Sequence, residues 1–206
     1  SSDLSGTQAL VVAGQTILSG AADCVVAAGA ESASQSPQLL MRGHETPLAS
    51  QEQDGLRCSI TGRLMGELCE DLAAREAISR TEQDAYALDS QQKAVLAQEQ
   101  GRFSAELVPV AGGGQAACAR DEFPRRLMSL DRLGSLPPAF AAGGSITAGN
   151  TASPGDGAAV VVLASGRAVA GWGLTPLVRV LASGRFYGAP EEVFAAGPAA
   201  MQDCCR

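Results

Sequence analysis

The feature that most constrains this fold is a loop of small residues that leads into a short apolar run. Glycine, alanine, serine and threonine make up most of the segment from Gly144 to Gly157, and the run Ala158–Leu163 follows it directly. A short run rich in β-branched residues favours a strand that is buried on both faces of a sheet. The loop before it has two interpretations, a plain turn or a ligand site, because glycine also lets a ligand approach the backbone closely.

A helix and a second apolar run near the start of the chain favour an α/β fold. Apolar residues recur at three- and four-residue spacing from Ala9 to Ile17, and Gly20 is placed to end that helix. The segment Asp23–Gly29 then predicts a buried strand, with Cys24 in the interior. A helix followed directly by a buried strand is typical of doubly wound α/β proteins.

Two helices are predicted in the middle of the chain, after a polar stretch at 35–60 that predicts a loop. An apolar stripe that begins at Met65 continues at i+3, i+4 and i+7, which predicts a helix packed through one face. Ser79 and Glu82 have the spacing of a capping box, which predicts a helix that runs to about Gln100. A strand is predicted at 102–110, after Gly101, and a turn followed by a strand is predicted within 171–180.

Composition excludes several classes of function. The formal net charge is −7 over 206 residues, whereas tracking a nucleic-acid backbone requires a basic face. The six cysteines have no metal-ligand spacing and form no disulfide framework, so we expect no metal site and a reducing compartment. No apolar stretch reaches the length of a membrane span. We expect a cytoplasmic protein, with a mitochondrial or peroxisomal location as the alternative.

Two isolated features each have a functional and a structural interpretation. His44, the single histidine, is either a general base or an exposed loop residue, and the second is favoured because no Cys or Asp pattern accompanies it. Gly112–Gly114 is either a phosphate-binding loop or a flexible turn. Without a lysine in a strand–loop–helix context, the turn is favoured.

Several motifs in order along the chain resemble the thiolases, specifically the acetyl-CoA acetyltransferases. The motifs are Ser5-Gly6-Thr7-Gln8-Ala9, Ala28-Gly29-Ala30-Glu31-Ser32, Asp121-Glu122-Phe123-Pro124-Arg125, Leu136-Pro137-Pro138-Ala139-Phe140 and Thr147-Ala148-Gly149-Asn150, followed by Asp156-Gly157-Ala158-Ala159. The resemblance implies an α/β fold with a thiolase-like layered αβα core, an incomplete first half, and an inserted, mainly helical loop domain.

The resemblance also implies a division of the chain. Residues 1–33 would form a helix and strand of the first-half core, 34–142 the loop domain, 143–185 the return to the core, and 186–206 the start of the second half. The second half of the family carries a catalytic histidine and a second cysteine, and we expect both to lie beyond these residues.

At the position of the family's nucleophilic cysteine this chain has Asp3. A helix N-terminus lowers a thiol pKa and favours the thiolate, which is why the family has its cysteine there. An aspartate at that position is a good helix cap, and its carboxylate is a much weaker nucleophile towards a thioester. We therefore expect no catalytic residue at Asp3.

The family resemblance predicts that coenzyme A contacts Leu56, Met65, Arg125, Ala139, Phe140 and Ala148. Arg125 would approach the nucleotide end, for which a guanidinium is suited, although a surface ion pair is the alternative. For Met65 the alternative interpretation is that its side chain packs in the core. The chain departs from the family at Leu64, where a histidine is usual, and at Arg132 and Ala152, where serines are usual.

The resemblance implies acyl transfer between coenzyme A thioesters, as in an acetyl-CoA C-acetyltransferase or 3-ketoacyl-CoA thiolase. Acyl-CoA would be a substrate, with no permanently bound cofactor, and the complete family protein would be a homo-oligomer. The alternative is a non-catalytic thiolase-like protein that binds acyl-CoA or pairs with a thiolase subunit. On either interpretation we expect this chain alone to be inactive.

Overall fold

The computed structural model describes residues 5–40, 42–43, 45, 47–50, 55–111 and 117–205. The chain divides into two compact units, one formed by Ser1–Met65 with Pro154–Arg206 and the other by Gly66–Ser153. The domain bounds implied by the family resemblance stay a prediction. Asp3, His44 and Gly112–Gly114 lie outside the described residues.

The first unit begins with the predicted helix, α1, which spans Ser5–Leu18 and buries Ala13. Its end is a Schellman motif: Gly20 N donates to Ile17 O at 3.0 Å, and Ala21 N donates to Thr16 O at 3.2 Å. Gly20 has a φ of 76°, a conformation that suits glycine. The local sequence signal therefore predicted both the helix and its end correctly.

The two predicted apolar strands pair with each other. The strand β1, Cys24–Ser32, lies antiparallel to β4, Asp156–Ala164, with Cys24 opposite Ala164 and Ser32 opposite Asp156. At one end of the pair, Ser165 Oγ donates to Asp23 Oδ1 at 2.8 Å and Arg167 Nη2 donates to Asp23 Oδ2 at 2.7 Å. The side-chain hydrogen bonds from Arg167 and Ser165 lower the pKa of Asp23.

The predicted burial of these strands on both faces is wrong. Val26, Val160 and Val162 are each more than 60% exposed, and Cys24 is exposed as well. Among the described elements, α1 is the main one packed on this pair, so most strand side chains have no covering layer there. A two-stranded ribbon covered by one helix leaves the remaining apolar surface in solvent.

The rest of the first unit is mostly irregular. The predicted loop at 35–60 begins at the end of a 3₁₀ turn, Ala33–Gln35, and contains a two-residue ladder between β2, Gln38–Leu39, and β3, Leu48–Ala49. A short helix, α5, spans Gly166–Gly171, and α6 spans Ala196–Cys204 after a 3₁₀ turn at Pro190–Glu192.

The strand predicted at 171–180 is absent from the structure. Residue 171 ends α5, and residues 174–189 form neither helix nor strand. A strand needs a neighbour that pairs with its N–H and C=O groups, and no described strand lies beside this segment. Leu177 is accordingly 96% exposed.

The second unit is helical. Helix α2 spans Met65–Arg75 and buries Leu68 and Ala73, which confirms the predicted apolar face. Helix α3 spans Arg80–Glu99 and begins with the predicted capping box, in which Ser79 N donates to Glu82 Oε2 at 2.8 Å and Glu82 N donates to Ser79 Oγ at 3.2 Å. The short helix α4 spans Leu130–Gly134 and buries Leu133 completely.

The strand predicted at 102–110 is also wrong. Residues 101–106 form turns, and the extended part is reduced to a single bridge between Val110 and Cys118. Val108 and Val110 are exposed, so the alternating pattern has no buried face to line in the described part of the chain.

Candidate functional site

The loop Gly144–Asn150 forms a tight turn in the second unit. Thr147 N donates to Asn150 Oδ1 at 2.7 Å, and Asn150 N donates back to Thr147 O at 3.3 Å. Ile146 and Thr147 are buried, whereas Ala148, at the tip, is exposed. The turn therefore fixes its own backbone and leaves a small side chain facing outward.

Glu70, on α2, holds the start of this loop. Its carboxylate accepts hydrogen bonds from Ser145 N at 2.8 Å, from Ser145 Oγ at 3.0 Å and from Ile146 N at 2.9 Å. Burial raises the pKa of Glu70, but the hydrogen bonds from Ser145 and Ile146 and the charge of Arg80 together outweigh it, so that the pKa is lowered overall. Glu70 is an ionised group that satisfies two backbone donors of the loop.

Asp84, on α3, holds the end of the loop. Asn150 Nδ2 donates to Asp84 Oδ1 at 2.9 Å, and Arg80 Nε donates to Asp84 Oδ2 at 2.7 Å. The Asp84 side chain is only 5% exposed, so this is a buried ion pair that also binds the loop. Arg80 Nη2 donates in addition to Leu133 O and to Leu136 O, the latter at 3.2 Å, which joins α3 to α4.

Two glycines leave room for neighbouring side chains to pack closely, one in this loop and one in α2. A Cβ on Gly149 would lie 2.5 Å from Leu133 Cδ2 and 2.6 Å from Leu136 Cδ1. A Cβ on Gly66, in the first turn of α2, would lie within 3.0 Å of three ring carbons of Phe140. Real Cβ atoms do not approach so closely, so both positions require glycine for the packing that the structure shows.

Three of the predicted contact residues come together in the second unit. Ala139 N donates to Ile146 O at 2.8 Å. This hydrogen bond places Ala139 and Phe140 beside Ile146, which directly precedes the turn that carries Ala148. Phe140 is half-buried against Gly66, while Ala139 and Ala148 are exposed.

Two further predicted contact residues lie next to each other in the first unit. Met65 N donates to Leu56 O at 2.7 Å, at the base of a turn closed by the bridge between Arg57 and Leu64. Leu56 is 42% exposed and Met65 is half-buried. Both side chains are apolar, and a backbone hydrogen bond joins the two residues directly.

Arg125 lies in the second unit. Its backbone N–H donates to Gln91 Oε1 on α3 at 2.7 Å, and its side chain is exposed. No ion pair joins the Arg125 guanidinium to a described residue, whereas its neighbour Arg126 pairs with Glu99. Within the described ranges, the surface ion pair proposed as the alternative for Arg125 therefore has no partner.

An open pocket of about 540 Å³ lies in the second unit. Glu70, the end of α2, the start of α3 and residues 141–145 line it. It includes none of the six predicted contact residues.

Over the described residues, no group of three His, Cys, Asp or Glu side chains is arranged to hold a metal ion. None of the described helices combines the length and apolar character needed to cross a membrane.

Sequence reasoning missed Glu70 and Asp84. Both are acidic residues on helices that pack against the core: Glu70 directly follows Cys69 of the apolar stripe, and Asp84 is one turn after Arg80. An acidic residue next to the buried face of a helix indicates that its carboxylate has a hydrogen-bond or ion-pair partner, because an unpaired carboxylate is rarely buried. The partner could not be identified from sequence, since it lies 75 residues from Glu70 and 66 from Asp84.

The chain belongs to the thiolase family. Residues 3–167 match the thiolase N-terminal domain. The acetyl-CoA acetyltransferase of Chromobacterium violaceum is 38% identical over 205 residues, which cover 94% of this chain and 52% of the relative. A probable acetyl-CoA acyltransferase of Staphylococcus aureus is 40% identical over 172 residues, covering 78% of this chain and 44% of the relative.

Solved structures agree with this assignment. The crystal structure of the Bacillus anthracis acetyl-CoA acetyltransferase matches with a TM-score of 0.88 at 31% identity, over 97% of this chain and 54% of that one. The Acat5 thiolase from Ascaris suum, solved in complex with coenzyme A, matches with a TM-score of 0.87 at 33% identity, over 96% of this chain and 52% of that one. The predicted family and the thiolase-like α/β fold class are thus confirmed.

The chain spans about half the length of the relatives it matches. The predicted contact residues and the role of Asp3 stay predictions.

Proposed function

We propose that this chain serves acyl transfer between coenzyme A thioesters, as part of a thiolase of the acetyl-CoA acetyltransferase type. One observation carries the proposal: the loop Gly144–Asn150 presents an exposed Ala148 on a fixed turn, within a fold that a relative adopts in complex with coenzyme A. A small side chain on a fixed turn lets the pantetheine arm approach the backbone closely.

The chemistry of the remaining contact residues suits the two ends of coenzyme A. Leu56, Met65 and Phe140 offer apolar surface for the pantetheine arm, while Arg125 offers a fixed positive charge and a fork of donors for phosphate. The overall charge of −7 gives no general attraction for an anionic ligand, so binding depends on local groups of this kind.

Asp3 separates the catalytic proposal from its alternative. Thiolysis and condensation need a thiolate that carries the acyl group, and a base and an acid that move protons. An aspartate at the nucleophile position favours the alternative, a non-catalytic thiolase-like protein that binds acyl-CoA or pairs with a thiolase subunit. In both cases we expect the 206 residues to be inactive by themselves.

Cleavage of acetoacetyl-CoA in the presence of free coenzyme A tests the proposal. We would compare the chain, its Asp3→Cys variant, and both of these fused to the C-terminal half of the Chromobacterium violaceum relative. Groups that act as a unit contribute non-additively, so we expect turnover only from the fused Asp3→Cys protein. Turnover by the unaltered chain would contradict the assignment of Asp3. A fused Asp3→Cys protein that binds coenzyme A without turnover would support the non-catalytic alternative.

A further inference from the structure

Glu70 touches the candidate coenzyme A loop without being among its predicted contact residues. We propose that Glu70 is a positioning residue, which holds the turn carrying Ala148 in the conformation that accepts the pantetheine arm. This inference rests on the proposed function, because it assigns a role towards the ligand of that same site.

Glu70 is half-buried, and three hydrogen bonds from the loop hold its carboxylate. Both carboxylate oxygens are used: Oε2 accepts from the backbone and the hydroxyl of Ser145, and Oε1 accepts from Ile146 N. A Cβ on Gly144 would lie 2.8 Å from the carboxyl carbon of Glu70, so the residue before Ser145 has to be glycine for the carboxylate to fit. The loop sequence and the carboxylate are therefore matched to each other.

The held segment connects directly to residues predicted to contact the ligand. Ile146, whose N–H binds Glu70, accepts from Ala139 N through its own carbonyl at 2.8 Å. Two residues later the chain reaches Ala148, and Asn150 closes the turn onto Asp84. Glu70 and Asp84 thus fix the two ends of a seven-residue loop, Gly144–Asn150, while its tip stays exposed.

Loss of the charge should act on the loop and leave the helix intact. In Glu70→Gln the amide oxygen can accept one backbone hydrogen bond, but the amide NH₂ then faces the other N–H, which loses its acceptor. A donor left without a partner in a packed site is costly, so the loop should shift to another conformation. The nucleotide end of coenzyme A, which we assign to Arg125, should not be affected.

Calorimetric titration with three probes tests this role: coenzyme A, pantetheine, and adenosine 3′,5′-bisphosphate, the nucleotide end alone. The full chain would be compared with Glu70→Gln and with Glu76→Gln. Glu76 pairs with Arg75 at the surface, at 55% side-chain exposure, and serves as the charge-matched control. Hydrogen exchange at the Ser145 and Ile146 amides would be followed in the same proteins.

For Glu70→Gln we expect about tenfold weaker binding of coenzyme A and pantetheine, with unchanged binding of the bisphosphate and faster exchange at both amides. Glu76→Gln should match the unaltered chain throughout. Equal weakening of all three probes would mean a general structural role and would overturn the inference, as would unchanged binding of coenzyme A. If the unaltered chain binds no probe, the proposed function fails and this role fails with it. Protected amides would then still show that the carboxylate holds the loop.

Discussion

Alanine at Gly66 tests the packing of the candidate site, because that glycine lies directly against Phe140. An added Cβ would lie within 3.0 Å of three ring carbons, so the ring must move by roughly the difference from an ordinary carbon–carbon contact of about 3.5–4.0 Å. Overpacking of this kind costs about 1–3 kcal/mol. Alanine also favours the helix over glycine by about 1 kcal/mol, which leaves a net destabilisation of about 0–2 kcal/mol.

Gly14 provides the matched control for this substitution. It lies inside α1, and no described atom comes within 4 Å of a Cβ built there. Gly14→Ala should therefore stabilise the chain by about 0.5–1 kcal/mol. The same substitution should thus have opposite signs in two helices of one protein, as measured by urea unfolding.

A double-mutant cycle assigns the cost to the ring. In a Phe140→Ala background the steric contact is gone, so Gly66→Ala should become neutral or stabilising, with a coupling free energy of about 1–3 kcal/mol. A cost for Gly66→Ala that persists unchanged without the Phe140 ring would refute the reasoning, since the strain would then come from elsewhere.

Three other predictions concern charges and thiols. Asp84→Ala leaves Arg80 Nε without its carboxylate partner and removes one of the two acceptors of Asn150 Nδ2, in a site where the Asp84 side chain is 5% exposed, and should cost about 3–5 kcal/mol in urea unfolding. Because the pKa of Glu70 is lowered on folding, its contribution to stability is present above about pH 4.3 and is lost as the pH falls through the folded-state value; Glu70→Gln should remove that dependence from unfolding curves recorded between about pH 6 and pH 3. Hydrogen bonds from Thr61 and Ile60 lower the pKa of Cys58, whereas burial raises that of Cys69, so alkylation followed by mass spectrometry should modify Cys58 at lower pH.

The elements that sequence predicted correctly are those with local signals. The helix ending at Gly20 and the helix beginning at Ser79 are defined by hydrogen bonds between residues at most five positions apart. The apolar face that begins at Met65 depends only on helical spacing. Such features are encoded within one or two turns, so a single sequence is enough to find them.

The wrong predictions concern features that depend on distant neighbours. Alternation at 102–110 and the apolar run at 171–180 suit a strand, but no described strand pairs with either. Val160 and Val162 form the predicted strand, yet their burial depends on layers that α1 alone does not supply. Propensity selects an extended backbone, and tertiary pairing decides whether it becomes part of a sheet.

The candidate site likewise combines one local feature with contacts between residues that are distant in the sequence. The turn Thr147–Asn150 is a short motif and was recognised from sequence. Glu70 and Asp84, which hold it, reach it from two helices earlier in the chain, and neither residue's own surroundings in the sequence identify the partner. The residues that fix the loop are therefore visible only in the structure.

Calorimetric titration of Arg125→Ala tests whether coenzyme A binds to the candidate site through its nucleotide end. Arg126→Ala is the matched control, because the adjacent arginine pairs with Glu99. We predict that the unaltered chain binds both coenzyme A and phosphate-free pantetheine. Arg125→Ala should weaken only the binding of coenzyme A, by roughly 10- to 150-fold, since a charge-assisted hydrogen bond contributes about 1.5–3 kcal/mol. Arg126→Ala should change neither. If the unaltered chain does not bind coenzyme A, the proposed function is wrong. If Arg125→Ala weakens the binding of both ligands equally, the role of Arg125 at the nucleotide end is wrong.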